Sequence, residues 1–272
     1  MYSDKETQTS YDYLKKVVHS LDEPICIVGG WAIFLTVNPA YQQRFNIPYL
    51  GSRDIDLGFH FEPKQTDSEL KKSAFAKALK KLESEGFESI DFRLVKHLDR
   101  ETGIPLPKEE YKTKPLFDII EMYVDLMVDN IPENFTPVFG MGVADEPLIE
   151  QVFKNENYRS ELVEFDKKLY LPSPTILLST KLKSLPNRQK DDKRLKDIHD
   201  ICGVLLFSRQ PLDEFKPVST FLTKEQLEKG LNTITDQEIA LVENNLRLAP
   251  NEFRVVWQKL KRKANGWSKS EK

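Results

Sequence analysis

The sequence predicts an α+β fold: a small mixed sheet with flanking helices, followed by a helical C-terminal region. Three observations predict it. The apolar run Ile25-Cys26-Ile27-Val28 ends at Gly29-Gly30 and passes into a helical segment, Trp31-Ala32-Ile33-Phe34-Leu35. Two further strand patterns, Asp54-Ile55-Asp56-Leu57-Gly58-Phe59 and the second half of residues 116–128, carry carboxylates among apolar residues. Beyond Pro172-Ser173-Pro174, apolar residues recur at helical spacing. The expected division is therefore a core domain over 1–172 and a helical domain over 173–272.

The elements follow in order. Residues 11–21 place Tyr11, Leu14, Val17, Val18 and Leu21 on one helical face, and Pro24 separates that helix from the first strand. After the Gly-Gly segment, residues 38–50 read as a polar linker. Residues 66–85 predict one helix with Leu70, Phe75, Ala78, Leu79 and Leu82 inward, capped by Thr66 or Asp67 and stopped at Gly86. Residues 87–95 alternate loosely as a strand. Residues 96–114, with Gly103, Pro105 and Pro107, read as a polar excursion. Residues 145–157 predict a helix, and 162–171 two short strands around Asp166-Lys167. In the C-terminal region, Pro174 suits the first turn of a helix. A second helix spans 191–206, and three more begin near Thr223, Asp236 and Asn251, with Thr235 and Glu238 spelling a capping box.

Composition bounds the function. The 272 residues are 39% hydrophobic and 31% charged, ordinary for a globular chain. A formal net charge of -3 leaves no global basic field to draw nucleic acid, so such a substrate needs a local patch. The basic end, Lys259, Lys261, Arg262, Lys263, Lys269 and Lys272, is one candidate RNA-guiding stretch, with a solvated terminus as the plainer reading. Cys26 and Cys202 each sit in an apolar run, as buried free thiols do, and no Cys/His metal spacing occurs. The polar start is no signal peptide, and no apolar run nears the roughly 20 residues that span a bilayer. The expected location is the cytoplasm.

The chemistry gathers at the second strand. Asp54 and Asp56 are two residues apart, so on a strand both point to one face while Ile55 and Leu57 point to the other. Adjacent carboxylates repel unless a cation lies between them, and Mg²⁺, held by a few carboxylates and substrate phosphates, suits such a pair. Gly29-Gly30 lets backbone approach a phosphate, with helix N-terminal amides behind it. A phosphate seat beside a metal seat makes a phosphoryl-transfer site.

Gly29-Gly30-Trp31-Ala32 followed by Ser52-Arg53-Asp54-Ile55-Asp56-Leu57 resembles the polymerase-β-type nucleotidyltransferase superfamily, and within it the AbiEii-like toxin branch. The resemblance implies two Mg²⁺ ions, or Mn²⁺, held by Asp54, Asp56 and a third carboxylate on a neighbouring strand. Asp125, in Asp125-Leu126-Met127, matches that position, and Asp118, heading the same run, is its rival. Gly29, Gly30 and Ser52 are implied to hold nucleotide phosphates. The C-terminal region resembles the same branch in a proline-led helix bearing Lys181, then Arg188, then Lys196-Asp197-Ile198-His199-Asp200. Lys181 and Arg188 are thereby implied to contact the triphosphate of ATP or another NTP, and Asp197 to orient a basic group. Lys183, Lys193 and Arg194 read as a solvated face.

The implied activity is transfer of a nucleoside monophosphate to a hydroxyl, on a tRNA 3′ end or a protein, by a toxin paired with an antitoxin. Two alternatives remain: a nucleotidyltransferase for small acceptors of aminoglycoside type, and a nucleotide-binding module without turnover.

Overall fold

The computed structural model describes residues 4–267, so Lys269 and Lys272 of the basic end lie outside the described residues. The chain forms two compact units. One comprises the described residues through Trp31 together with Gly51–Leu171; the other comprises Ala32–Leu50 and the chain from Pro172 onward.

The first unit is built on a mixed sheet. Its strands are β1 (Ile25–Val28), β2 (Ile55–Phe59), β3 (Glu88–Ile90), β4 (Arg93–Asp99), β5 (Ile119–Val128), β6 (Ala144–Asp145), β7 (Arg159–Glu164) and β8 (Lys167–Pro172). The order is β3-β4-β5-β2-β1-β8-β7, with β6 also pairing with β5. β2 runs antiparallel to β1 and parallel to β5. The sheet is therefore larger than expected, at eight strands among the described residues. Two features account for the growth: Asp91 takes positive φ and turns β3 into β4 where one strand was expected, and Ala144-Asp145 add β6 beside β5; the β7–β8 hairpin, turned by Phe165-Asp166 at positive φ, is as expected.

β5 explains the strand periodicity best. Ile120, Met122, Val124, Leu126 and Val128 are all buried, whereas Glu121, Tyr123, Asp125 and Met127 alternate with them on the more open face. β2 repeats this with Ile55 and Leu57 buried. The alternation puts aliphatic side chains into the core and leaves the acids on the other face.

The helices of this unit begin with α1 (Asp4–Ser20), whose Leu14, Val17 and Val18 are wholly buried. α2 (Gly29–Phe45) starts here and continues into the second unit. The single helix expected over 66–85 is two, α3 (Asp67–Lys72) and α4 (Ala74–Ser84). Ser73 is the cause: its backbone is extended, and its hydroxyl accepts from the Ala76 amide to cap α4. Thr66 and Glu69 form a capping box ahead of α3. Residues 96–99 belong to β4, and the excursion beyond them contains the one-turn α5 (Lys108–Tyr111). After α6 (Phe135–Phe139), the helix expected over 145–157 shortens to α7 (Ile149–Lys154), because Ala144-Asp145 pair with β5 and Pro147 follows. Cys26 and Cys202 are buried free thiols, and burial pushes the Cys26 thiol up to about 12.

The second unit is helical: α8 (Pro174–Ser184), α9 (Asp191–Phe207), α10 (Lys224–Asn232), α11 (Asp236–Asn245) and α12 (Glu252–Trp267). Ser173 caps α8 and Thr235 with Glu238 forms the capping box of α11. The residues read as a linker over 38–50 are largely helix, since α2 continues past Pro39 to Phe45. Two tyrosines tie this stretch to the C-terminal helices. Tyr41 donates to the Leu246 carbonyl at 3.2 Å, and Tyr49 to the His199 carbonyl at 2.8 Å. Tyr49 lies so close to Gly203 that a Cβ there would fall 2.6 Å from its hydroxyl. Among the described residues no helix is long and apolar enough to cross a membrane.

His199 is part of this packing. Its Nδ1 donates to the Leu195 carbonyl at 2.7 Å, and its Nε2 accepts from the Asn245 amide at 3.2 Å. That arrangement holds one neutral tautomer. Burial, the largest influence, lowers its pKa from 6.5 to about 4. The unfolded chain takes up the proton more readily, so His199 contributes its full stability above pH 6.5 and loses it as pH falls toward 4. Urea midpoints measured from pH 7 to pH 4 should fall for the wild type, and His199→Gln should flatten that slope. An unchanged slope contradicts the assignment.

Candidate active site

The sheet unit brings six of the sequence-predicted residues to one place. Val28, the last residue of β1, pairs with Asp56 of β2, and the chain turns at once through Gly29. Gly29 has φ +62°, and a Cβ there would lie 2.0 Å from Asp56 Oδ2. Only glycine allows both the turn and the approach of that carboxylate to the head of α2. Gly30 plays the same part for Ser52: an added Cβ would lie 2.7 Å from Ser52 Oγ. The length of the segment between the glycines and the acids therefore does not carry Ser52 away from the turn.

The parallel pairing of β2 with β5 sets Asp56 beside Asp125. Paired residues on neighbouring strands point to the same face, so the two carboxylates share it. Asp118, the rival candidate, lies in the short 3₁₀ turn before β5, away from this register. Asp54 sits just ahead of β2 and joins the cluster through a shared partner, Arg93.

Arg93 is the feature that sequence reasoning missed. It opens β4, next to the Leu94–Val124 pair of β4 and β5. Its Nε lies 2.7 Å from Asp125 Oδ1 and its Nη2 2.8 Å from Asp125 Oδ2. The same Nη2 lies 3.1 Å from Asp54 Oδ2. The guanidinium carbon rests 4.0 Å from the centroid of the Tyr123 ring. Burial disfavours the charge on Arg93, but the hydrogen bonds and charges of Asp125 and Asp54 more than reverse that and raise its pKa. The cluster stays open to solvent, with side-chain exposures of 23% for Arg93, 25% for Asp54 and 15% for Asp125.

Among the described residues no three His, Cys, Asp or Glu side chains form a ready metal-holding group. The donor chemistry nonetheless suits a hard cation: Asp54, Asp56 and Asp125 offer only carboxylate oxygens, and Asp56 is cradled against Gly29 without a side chain between. Arg93 presently lies between two of the three.

The remaining predicted residues lie in the helical unit and form a network of their own. Lys181 of α8 approaches Asp197 Oδ1 at 2.5 Å and Asp200 Oδ2 at 2.8 Å. Arg188 Nε lies 2.5 Å from Asp197 Oδ2, and Lys196 pairs with Asp200 Oδ1. The Lys181–Asp200 contact, at 2.8 Å, gives the buried Asp200 Oδ2 its cationic partner. Burial disfavours charge on Lys181, yet Asp200 and Asp197 raise its pKa; burial likewise opposes ionised Asp197, and Lys181 and Arg188 lower it. Three cations thus surround two buried acids, so that each buried carboxylate has opposite charge beside it. Asp200 closes the motif quoted from the sequence but was given no role of its own there, although Lys196 and Asp200 stand four apart on one helical face.

Other basic residues are engaged elsewhere. Arg194 forks onto Glu238, Lys259 pairs with Asp213 at 2.5 Å, and Lys263 donates to the Leu212 carbonyl at 3.0 Å. His60 bonds Asp129 and, at 3.0 Å, Glu62.

No protein-family model matches the chain. No curated protein matches it either. Among solved structures it is similar to the crystal structure of an antigenic nucleotidyltransferase-like protein from Paracoccidioides brasiliensis. The identity is 19% and the TM-score 0.40, over 91% of this chain and 95% of that one.

Gly29→Ala tests the cradle. A side chain at positive φ and a clash with Asp56 should together cost roughly 1–3 kcal/mol, read as a lower urea midpoint. An unchanged midpoint contradicts the close approach of Asp56.

Proposed function

We propose that the chain is a metal-dependent nucleotidyltransferase that moves a nucleoside monophosphate from an NTP to a hydroxyl. The observation that carries this reading is the register of β2 with β5, which sets Asp56 beside Asp125 within reach of the Gly29-Gly30 turn. Asp54, Asp56 and Asp125 hold divalent metal, Mg²⁺ or Mn²⁺, as carboxylates do beside substrate phosphates. When bound, the metal neutralises phosphate charge and lowers the pKa of the acceptor hydroxyl.

The chain's own groups supply the rest. Amides at the head of α2 and the Ser52 hydroxyl hold phosphate oxygens. Asp125 accepts the proton of the acceptor hydroxyl. Lys181 and Arg188 carry the triphosphate-binding role that the resemblance implies, with Asp197 orienting them. The acceptor that the resemblance implies is a tRNA 3′ end or a protein hydroxyl, in a cytoplasmic toxin paired with an antitoxin.

One observation favours a second reading. Arg93 already occupies Asp54 and Asp125, which is also what a nucleotide-binding module without turnover would look like.

Incubation with α-labelled NTPs, Mg²⁺ and total tRNA separates the two. Labelled tRNA supports the transferase, and nucleotide binding without transfer to RNA, protein or small acceptors supports the module. Asp54→Asn, Asp56→Asn and Asp125→Asn should each lower transfer at least about a hundredfold, the scale of losing one charge-stabilising group. Full activity in Asp56→Asn would falsify the site.

A further inference from the structure

We infer that Arg93 is a built-in counter-cation of the acid cluster: its guanidinium forks across Asp54 and Asp125, and divalent metal binds by displacing it. The inference rests on the metal-dependent reading above and concerns how that site is loaded.

The geometry is specific to arginine. Two nitrogens meet both oxygens of Asp125 at 2.7 and 2.8 Å, and one of them also meets Asp54 at 3.1 Å. A planar fork of this kind matches carboxylates in a way that the point charge of lysine does not. The carboxylate oxygens that a cation would share are thus already hydrogen-bonded. Arg93 also has somewhere to stay when displaced, because its guanidinium lies over the face of Tyr123 at 4.0 Å. Tyr123 is itself fixed by donating to Glu121 at 2.7 Å.

Two consequences follow from displacement. The acid cluster stays assembled without metal, because Arg93 offsets the repulsion between Asp54 and Asp125. Metal must also compete with a charge-assisted pair, so the site binds it more weakly than three bare carboxylates would. Arg93 is in this sense a positioning residue, and its removal should strengthen metal binding rather than weaken it. A merely structural arginine gives the opposite sign.

The test is Mn²⁺ affinity, read by electron paramagnetic resonance of free Mn²⁺ in titrations of the full chain without nucleotide. Wild type, Arg93→Gln and Arg93→Lys are compared. Arg93→Gln should bind Mn²⁺ roughly tenfold tighter or more, the ratio that a charge-assisted pair of ordinary strength sets. Arg93→Lys keeps the charge but not the fork, and should also bind tighter than wild type. If Arg93→Gln binds tighter while Arg93→Lys matches wild type, the effect is one of charge at a distance and the displacement model is wrong. Equal or weaker binding in both variants overturns the inference while leaving the metal-dependent reading standing. No Mn²⁺ binding by any of the three overturns both.

Discussion

Asp56 and Asp125 stand side by side on the β2–β5 ladder, with Asp54 joined to Asp125 through Arg93, and like charges on one face demand a cation. Neighbouring strands lie about 5 Å apart, where two unit charges repel by roughly 3 kcal/mol at an effective dielectric of about 20. The sheet cannot relieve this by turning one acid inward. The opposite face of β2 and β5 is filled by Ile55, Leu57, Val124 and Leu126, all essentially buried. The core therefore fixes which way the acids point, and the acids fix the need for positive charge. In this chain Arg93 answers that need from β4.

The same constraint reaches back into the Gly-Gly turn. Asp56 is opposite Val28, and the next residue must reverse away from the strand without placing a side chain against the carboxylate. Gly29 does this with a left-handed φ, and α2 then starts with its amides facing the same small region. Gly30 leaves room for Ser52. A carboxylate and a hydroxyl thus stand at one helix head, where the partial positive charge of the first turn favours anions. In the helical unit the same principle is met differently: Asp197 and Asp200 are buried among Lys181, Arg188 and Lys196. There the acids are sealed in and serve to hold the cations in place.

How much of this could be read from the chain alone depended on the range of each interaction. Strand alternation is local, so Ile55 and Leu57 against Asp54 and Asp56 were legible, as were the glycine pair and the capping box at Thr235. Asp125 was distinguishable from Asp118 only through resemblance, and its register with Asp56 needed the pairing of β2 with β5. Arg93 gave no signal, because residues 87–95 alternate loosely and its partners lie 32 residues away or more. Helix α2 outran its expected end, since Pro39 and polar neighbours resemble a linker while Tyr41 and Tyr49 find partners 205 and 150 residues on, respectively. Ser73 broke an apparently continuous helix because its capping hydroxyl competes with helical hydrogen bonding, a choice that apolar periodicity does not register.

The central claim is that Asp54, Asp56 and Asp125 share one divalent cation site at the head of α2. Crystals grown with Mn²⁺ and a non-hydrolysable NTP, with anomalous data collected at the manganese edge, test it most directly. The account predicts an anomalous peak bounded by those three carboxylates, with Arg93 withdrawn from Asp54 and Asp125. A peak elsewhere in the protein, or none while Arg93 still bridges the two acids and the nucleotide is bound, would contradict it.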